Sequence, residues 1–446
     1  MSGAPKPTSV AAEAGTRLQV ALDFLELSRA IKCAREAVAG GAELLEVGTP
    51  LLKSEGLDAV RKLRAEFPTA KHPTLRIVCD TKTMDAGRVE FEGAAKAGAA
   101  IATVLAGAAD STIRDCVEAG RNYGIQVEAD LINVADPVER ARQCDALGVD
   151  IVGVHVGIDE QMRGRDPFDL LRKVRTVVAC EIAVAGGITS ETAAAAAEAG
   201  ADIVIVGGAI TKAEDAAGAS KAVVAALRSR RAVESRYFRR VTDDRVADVL
   251  KLVSTPNLSD AMHRSGEMSG LEPLQQGVKV FGPAVTVRTY PGDWAKPVEA
   301  IDHCKPGDVL VIDAGGRAPA VWGELASESA KVRGLAAVVI DGAIRDVDAI
   351  RSIGFPAWAR IRTPTAWEPK GFGEIGQPVV CGGQRVAPRD WIVADDSGLV
   401  RIPREKLAEI VNRASDVFEH ENRLRAEIRA GGTLSALKEL ARWEKK

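Results

Sequence analysis

Residues 75–85, Leu75-Arg76-Ile77-Val78-Cys79-Asp80-Thr81-Lys82-Thr83-Met84-Asp85, pass from an apolar run straight into charge. Strand side chains alternate between two faces, so Asp80 and Lys82 are expected on one face, at the C-terminal tip of a buried strand. Asp85 follows three residues later, where a helix can begin. Buried charges are costly unless they are paired or hold a metal. Two carboxylates and an ammonium within six residues are therefore a poor way to build a core. A solvated Asp–Lys pair at a strand end explains this stretch alone equally well, and the surrounding pattern favours a site.

Working outward, short apolar runs alternate with helix-like amphipathic segments. The runs are 18–23, 44–49, 75–82, 101–106, 126–132, 151–157, 181–188 and 203–210. Near-continuous apolar runs of this kind suit parallel strands covered by helices. Gly40-Gly41, Gly98, Gly124, Gly148 and Gly200 fall between a helical run and the next strand, as helix-ending glycines do. Eight strand–helix units in about 210 residues predict an α/β fold of the (β/α)8 TIM-barrel type. A doubly wound open sheet is the alternative, since periodicity does not close a barrel.

Chemistry in such barrels sits at the C-terminal strand ends. Those ends offer Asp23, Glu46, Asp80 with Lys82, Asp130 and His155. The last two strands end in Gly186-Gly187 and Gly207-Gly208, pairs that let backbone N–H groups approach a phosphate. Asp23, Glu46 and Asp80 suit one hard divalent cation. Lys82 among carboxylates should stay protonated and can donate to an oxyanion or shuttle a proton. Each residue has a plainer reading: Glu46 as a salt bridge to Lys82, His155 as a satisfied strand-end histidine, the glycine pairs as turns. Their convergence at one barrel end argues against those readings.

The motifs "LQVALD", "EVGTPLLKSEG", "DTKTMDAG", "DLINVADPVERA", "VHVGIDEQ", "AVAGGI" and "DIVIVGGAIT" resemble 3-hexulose-6-phosphate synthase, of the orotidine-5'-phosphate decarboxylase superfamily. The resemblance runs from about residue 18 to residue 227. It implies Mg2+-dependent, reversible aldol condensation of formaldehyde with D-ribulose 5-phosphate to D-arabino-3-hexulose 6-phosphate, an aldehyde-lyase reaction. It further implies Glu46 and Asp80 as metal ligands, Asp23 as a nearby polar contact, and Lys82 and His155 in acid/base and oxyanion work. Asp85 would reach into a neighbouring subunit's site, and the glycine pairs would hold the phosphate. The related 3-keto-L-gulonate-6-phosphate decarboxylases share "DTKTMD" but carry an arginine in the loop after the His155 strand. Here that loop reads Gly157-Ile158-Asp159-Glu160-Gln161, which favours the synthase. Residues 69–74 look like a small insertion on the N-terminal side of the barrel.

Residues 229–243 read as a linker helix, with the arginine-rich "RSRRAVESRYFRR" as a solvated join. From residue 244 the texture changes to a compact α/β domain ending in a charged amphipathic helix from Arg404 onward. Its constellation is Glu324 and, after twenty intervening residues, Arg345-Asp346, with Gly315-Gly316 after another strand. Arginine gives a two-pronged donor for a carboxylate or enolate. Asp346 and Glu324 suit a water-rich Mg2+. A surface Arg–Asp pair with Glu324 at a helix start remains open on spacing alone. Residues 244–432 resemble the RraA-like fold, shared by a ribonuclease E inhibitor and class II 4-hydroxy-4-methyl-2-oxoglutarate aldolases. That resemblance implies Arg345 on the carboxylate of a pyruvate-type 2-oxo acid, Asp346 as a direct metal ligand and Glu324 on metal-bound water. Glu421 is a candidate for an acidic residue shared with a neighbouring subunit. The inhibitor branch implies the alternative of a non-catalytic regulatory or assembly domain.

The chain has 446 residues, 46% hydrophobic and 27% charged, an ordinary globular composition with room for two or three domains. A net charge of -3 gives no support for a nucleic-acid surface, and no run is long enough to span a membrane. The seven cysteines lack any C-x-x-C pair, so buried free thiols in a reducing, cytoplasmic setting are expected. Residues 1–16 read as a disordered leader, residues 17–228 as the barrel and residues 244–446 as the second domain. A homo-oligomer is expected: a dimer through the barrel, a trimer through the second domain, and a hexamer if both interfaces are kept.

Overall fold

The computed structural model describes residues 15–235, 240–242 and 245–443. The expected leader lies outside these residues except for its end, where the Thr16 hydroxyl donates to Ala201 O at 3.1 Å. The chain divides into two compact units, one of Met1–Arg240 with Glu419–Lys446, the other of Val241–Phe418.

In the first unit all eight expected strands form: β1 (Arg17–Leu22), β2 (Leu44–Val47), β3 (Arg76–Thr83), β4 (Ile101–Leu105), β5 (Gln126–Asp130), β6 (Ile151–His155), β7 (Glu181–Ala185) and β8 (Ile203–Val206). All are parallel, and β1 pairs with β8 to close the barrel. One face of each strand packs against the helices, through Val20, Leu45, Ile77, Val127 and Val204 among others. The other face fills the barrel. Leu44, Val78, Ile101, Ile151, Ala183 and Ile203 make an apolar plug inside it, each fully buried. Two residues on, at the C-terminal side of that plug, stand Glu46, Asp80 and Thr103. Period-2 alternation thus turns an apolar floor into a polar layer in one step.

The strand β3 does not run straight to its charged tip. Its pairing with β4 jumps from Cys79↔Ala102 to Thr83↔Val104. Lys82, inside this bulge, has φ 46°, a left-handed conformation rare for a residue with a Cβ. Asp80 and Lys82 do meet, but through the bulge and not through simple alternation.

The join differs from the expected linker helix. The last barrel helix ends at Ser229, and residues 231–235 are not helical. Residues 236–239, 243 and 244 of the expected linker lie outside the described residues.

The second unit is built on one sheet. Its strands are β9 (Glu272–Pro273), β10 (Val280–Thr289), β11 (Val309–Asp313), β12 (Ala320–Trp322), β13 (Ala337–Ile344), β14 (Ala357–Arg362), β15 (Gly373–Ile375), β18 (Trp391–Asp395) and β19 (Gly398–Ile402), with β16 (Val379–Cys381) and β17 (Gln384–Val386) as a separate hairpin. The order is β19-β18-β10-β11-β13-β14-β9, with β12 on β13 and β15 on β10. The central strand β13 runs through Asp341 to Ile344, with a register shift between Ile340 and Ala343 against β14. The closing helix, Leu407–Arg429, forms, but the expected boundary at residue 446 does not hold: from Glu419 onward the chain belongs to the barrel unit. The cause is a buried ionic contact of Arg423 and Glu427 with Arg29 and Glu36, both on the first barrel helix, Leu27–Ala39.

All seven cysteines are free, six of them buried. Among the described residues no helix is long and apolar enough to cross a membrane. If the apolar floor carries the barrel, Ile101→Ala should lower unfolding stability by about 2–5 kcal/mol. Urea unfolding followed by circular dichroism would measure this, and a loss under about 1 kcal/mol would contradict a packed floor.

Candidate active site

Lys82 occupies the centre of the barrel's C-terminal mouth. Its Nζ lies 3.0 Å from Asp80 Oδ1 and 3.0 Å from Asp130 Oδ2. The bulge that aims it is held by Thr103, whose hydroxyl accepts from the Lys82 N–H at 2.9 Å and donates to Asp80 Oδ1 at 2.8 Å. Asp80 Oδ2 accepts from the Thr49 hydroxyl at 2.6 Å and more weakly from the Thr49 N–H at 3.3 Å. Asp130 Oδ2 also meets His155 Nδ1 at 3.0 Å, and Asp130 Oδ1 accepts from the Ile132 N–H at 2.8 Å. Asp130 thus joins Lys82 to His155.

The remaining acids crowd this ammonium without touching it. Glu46 is buried on β2, and Gln19 Nε2 donates to its Oε2 at 2.8 Å; the expected alternative of a Glu46–Lys82 bridge does not form. Asp23 follows β1, crowded by protein yet open to solvent. A Cβ on Gly48 would stand 2.1 Å from Asp23 Oδ1, so only glycine leaves Asp23 its place. A Cβ on Gly207 would stand 3.7 Å from Asp23 Oδ2, which sets the β8 glycine pair beside the acid cluster. Gly186 and Gly187, after β7, have φ 129° and 67°, backbone that favours glycine. Gly208 opens the short helix Gly208–Thr211.

Charge in this layer is unbalanced. Burial raises the Glu46 carboxyl well above its ordinary pKa, and Asp80 and Asp23 push it further. Asp23 is raised by burial and then by Asp80. Burial works to lower the Lys82 pKa, but Asp80 and Asp130 outweigh it and the net shift is upward. Burial works to raise Asp130, but His155, Lys82 and the Ile132 N–H together hold it at about 2. So Lys82 stays an ammonium and Asp130 a carboxylate.

The donor set suits a hard divalent cation. Glu46, Asp80 and Asp23 are oxygen donors that repel one another, and a hard cation would relieve such repulsion. Among the described residues no three acidic, histidine or cysteine side chains form a ready chelate. Mg2+ does not require one, since it keeps several waters and takes one or two carboxylates plus substrate oxygens.

Asp85 stands apart. It is exposed in the turn between β3 and the helix Gly87–Ala97, and no hydrogen bond or ion pair ties it to the Lys82 cluster among the described residues.

In the second unit β12 and β13 are parallel neighbours, with Trp322 paired to Ile344. Gly323-Glu324 and Arg345-Asp346 therefore leave adjacent strands side by side, which explains the twenty-residue spacing. The Arg345 N–H donates to Trp322 O at 3.1 Å, and the Glu324 N–H donates to Asp346 Oδ2 at 3.2 Å. Arg345 Nε lies 3.4 Å from Asp346 Oδ2. A Cβ on Gly323 would come within 2.5 Å of Asp346 Oδ2. Asp346 has φ 58° and Gly315 and Gly316 have φ 66° and 68°. The Arg345 and Asp346 side chains are 45% and 41% exposed, so this cluster is wet where the barrel cluster is enclosed. Glu421 falls in the first unit, where it pairs with Arg425 at 2.9 Å.

A family model described as orotidine 5'-phosphate decarboxylase / HUMPS family matches residues 16–223. A 3-hexulose-6-phosphate synthase of Methylomonas aminofaciens is 42% identical over 203 residues, 45% of this chain and 94% of the relative. The chain belongs to this family. A second synthase, from Bacillus subtilis, is 40% identical over 45% of this chain and 93% of its own length. The 3-hexulose-6-phosphate synthase structure from Salmonella typhimurium covers 48% of this chain and all of its own, at 38% identity and a TM-score of 0.45. A second family model, RraA-like: Aldolase/RraA, matches residues 255–401. The chain is therefore a fusion of a HUMPS-family enzyme barrel with an RraA-like domain.

Within the HUMPS barrel, sequence reasoning found the strand-end acids but gave Asp130 no role and missed Gln19, Thr49, Thr103 and Glu128. Glu128 is the least expected. It lies two residues before Asp130 on β5 and is buried, and its Oε2 has no hydrogen-bond partner among the described residues. A Cβ on Gly153 would meet its Oε1 at 2.7 Å. Burial, then Asp130 and Asp80, push its pKa up to about 8. Its signal was present as a polar residue inside an apolar strand, "VEAD".

Glu128 therefore binds a proton on folding. The unfolded carboxyl ionises near its ordinary value and the folded one only near 8, so this group's contribution to stability is full at low pH and is lost as pH rises between those values. Glu128→Gln should flatten that decline. Urea unfolding at about pH 5 and about pH 8 would test it, and an unchanged slope would mean that Glu128 is already ionised in the folded barrel.

Proposed function

We propose that the barrel is a 3-hexulose-6-phosphate synthase, joining formaldehyde to C1 of D-ribulose 5-phosphate with Mg2+. The observation that carries this reading is Lys82 held between Asp80 and Asp130, with His155 on the same Asp130 oxygen. The reaction removes a C1 proton, places negative charge on an enediolate and adds its carbon to an aldehyde. An ammonium fixed by two carboxylates is an electrostatic donor that needs no reorganisation as the enediolate oxygen develops charge. Asp130, ionised, holds the proton on His155 Nδ1, leaving Nε2 as the nitrogen for proton transfer. Glu46 and Asp80 would hold Mg2+, which when bound polarises the substrate's oxygens. Gly186-Gly187 and Gly207-Gly208 would take the phosphate through backbone N–H groups. No arginine stands in Gly157–Gln161, the place the decarboxylase reading requires. The HUMPS relatives that carry the synthase name support the same choice.

Asp85 would act across a dimer. It is exposed beside Met84 and Val89, apolar side chains 55% and 70% exposed, which is a surface suited to a second copy. For the second unit we propose a Mg2+-dependent aldolase or decarboxylase of a pyruvate-type 2-oxo acid. Arg345 would bind the carboxylate, and Asp346 and Glu324 would hold the cation and its water. The support is their meeting at the level ends of β12 and β13. Pyruvate release from 4-hydroxy-4-methyl-2-oxoglutarate or oxaloacetate tests this; none with Mg2+ present would leave the domain non-catalytic.

For the barrel, formaldehyde-dependent consumption of ribulose 5-phosphate should vanish after EDTA treatment and return with Mg2+. Lys82→Ala should cost roughly 10²–10⁴ in kcat, the usual loss for one proton-transfer or oxyanion group, while circular dichroism stays native. Full activity without metal, or near-normal turnover in Lys82→Ala, would contradict the mechanism.

A further inference from the structure

The family match ends at residue 223, yet the barrel unit regains chain from Glu419 onward. In that returning chain Arg423, on the helix Leu407–Arg429, is almost fully buried, its side chain 3% exposed. Its guanidinium is used on every edge. Nη1 donates to Ala213 O at 2.7 Å and to Glu214 O at 3.3 Å. Nη2 donates to Glu36 Oε2 at 2.8 Å, and Nε donates to Glu427 Oε1 at 3.1 Å. Glu427 in turn accepts from Arg29 Nε at 3.1 Å. Two anions on the barrel side and on its own helix thus fix the arginine, and its remaining edge is spent on two backbone carbonyls.

Those carbonyls belong to the loop that leaves Gly207-Gly208 and the helix Gly208–Thr211. A loop that offers N–H groups to an anion must keep its C=O dipoles turned elsewhere. Fastening the carbonyls of Ala213 and Glu214 to a buried cation anchors the far end of the short helix that Gly207-Gly208 open, and so holds that turn in place. The β7 glycine loop is braced by other chain outside the matched stretch: the Val233 N–H donates to Ser190 O at 3.1 Å, the Ser190 hydroxyl to Val233 O at 2.8 Å, and the Ser235 N–H to Glu191 Oε1 at 3.0 Å.

We propose that Arg423 is a positioning residue for the phosphate loop after β8, so that the barrel's substrate affinity depends on chain that follows the inserted second unit. The proposal rests on reading Gly207-Gly208 as the phosphate site. Arg423 touches no substrate; it sets the loop that does. Lysine cannot replace it, because one ammonium cannot span the carbonyl pair and both carboxylates.

The test uses the full chain and two probes, inorganic phosphate by titration calorimetry and ribulose 5-phosphate by steady-state kinetics. In Arg423→Lys the phosphate Kd and the ribulose 5-phosphate KM should both rise about tenfold, while kcat stays within about threefold, the pattern of lost ground-state binding. Glu36→Ala, at a partly exposed anchor, should raise both by about threefold and carries the test if Arg423→Lys does not fold. Arg29→Lys disturbs the same ionic cluster without reaching the loop, so it should lower the melting temperature and leave the phosphate Kd unchanged. A folded Arg423→Lys or Glu36→Ala that binds phosphate as the wild type does overturns the proposal, as does a wild type that binds no phosphate. If the wild type binds phosphate but does not turn over ribulose 5-phosphate, the synthase reading fails and the Kd series still decides the role of Arg423.

Discussion

The ammonium of Lys82 is fixed among five acidic side chains at the barrel mouth. Lys82 contacts two of them, Asp80 and Asp130, while Glu46, Asp23 and Glu128 crowd the same layer with their pKa values pushed upward. Such a layer is a poor source of stability, since buried like charges repel and each loses hydration. The protein tolerates it by three means visible in the structure. Glu128 and Glu46 take raised pKa values, Thr49 and Thr103 each donate a hydrogen bond to Asp80, and Asp130 is shared between Lys82 and His155. The excess of acidic side chains over cations is what the proposed Mg2+ would relieve.

The fold supplies the rigidity that this charge pattern needs. An apolar plug lies on the N-terminal side of the acids, so the polar side chains cannot collapse inward. The bulge at Lys82 holds an L-residue at positive φ, a conformation costing of order 1–3 kcal/mol, and Thr103 fixes it from the neighbouring strand. The second unit solves a similar problem differently. Two parallel strands end level, Gly323 leaves room, and Asp346 takes positive φ to turn beside Arg345.

How much was legible follows from what each feature depends on. The eight strands could be read because strands buried on both faces are apolar along their length; their closure through the β1–β8 pairing could not, since an open sheet gives the same runs. The site acids could be read because they break those runs at one end. Asp130 could be placed but not assigned, since its role comes from sharing one oxygen between residues 48 positions before it and 25 after it. Glu128 was missed because a single polar residue in a strand usually points to solvent. The return of residues 419–443 to the barrel was not legible: an amphipathic helix states that one face is buried, not against what. The linker helix was predicted from arginine-rich composition, which favours a helix locally but does not require one.

The account stands or falls on enediolate formation at the Lys82 cluster. Proton NMR of ribulose 5-phosphate in D2O, with the full chain and Mg2+ but no formaldehyde, tests it directly. The account predicts exchange of a C1 hydrogen for deuterium that is lost on chelation of the metal and in Lys82→Ala. A C1 position that keeps its protons over many turnovers' worth of enzyme and time, in a preparation that binds the sugar phosphate, would contradict it.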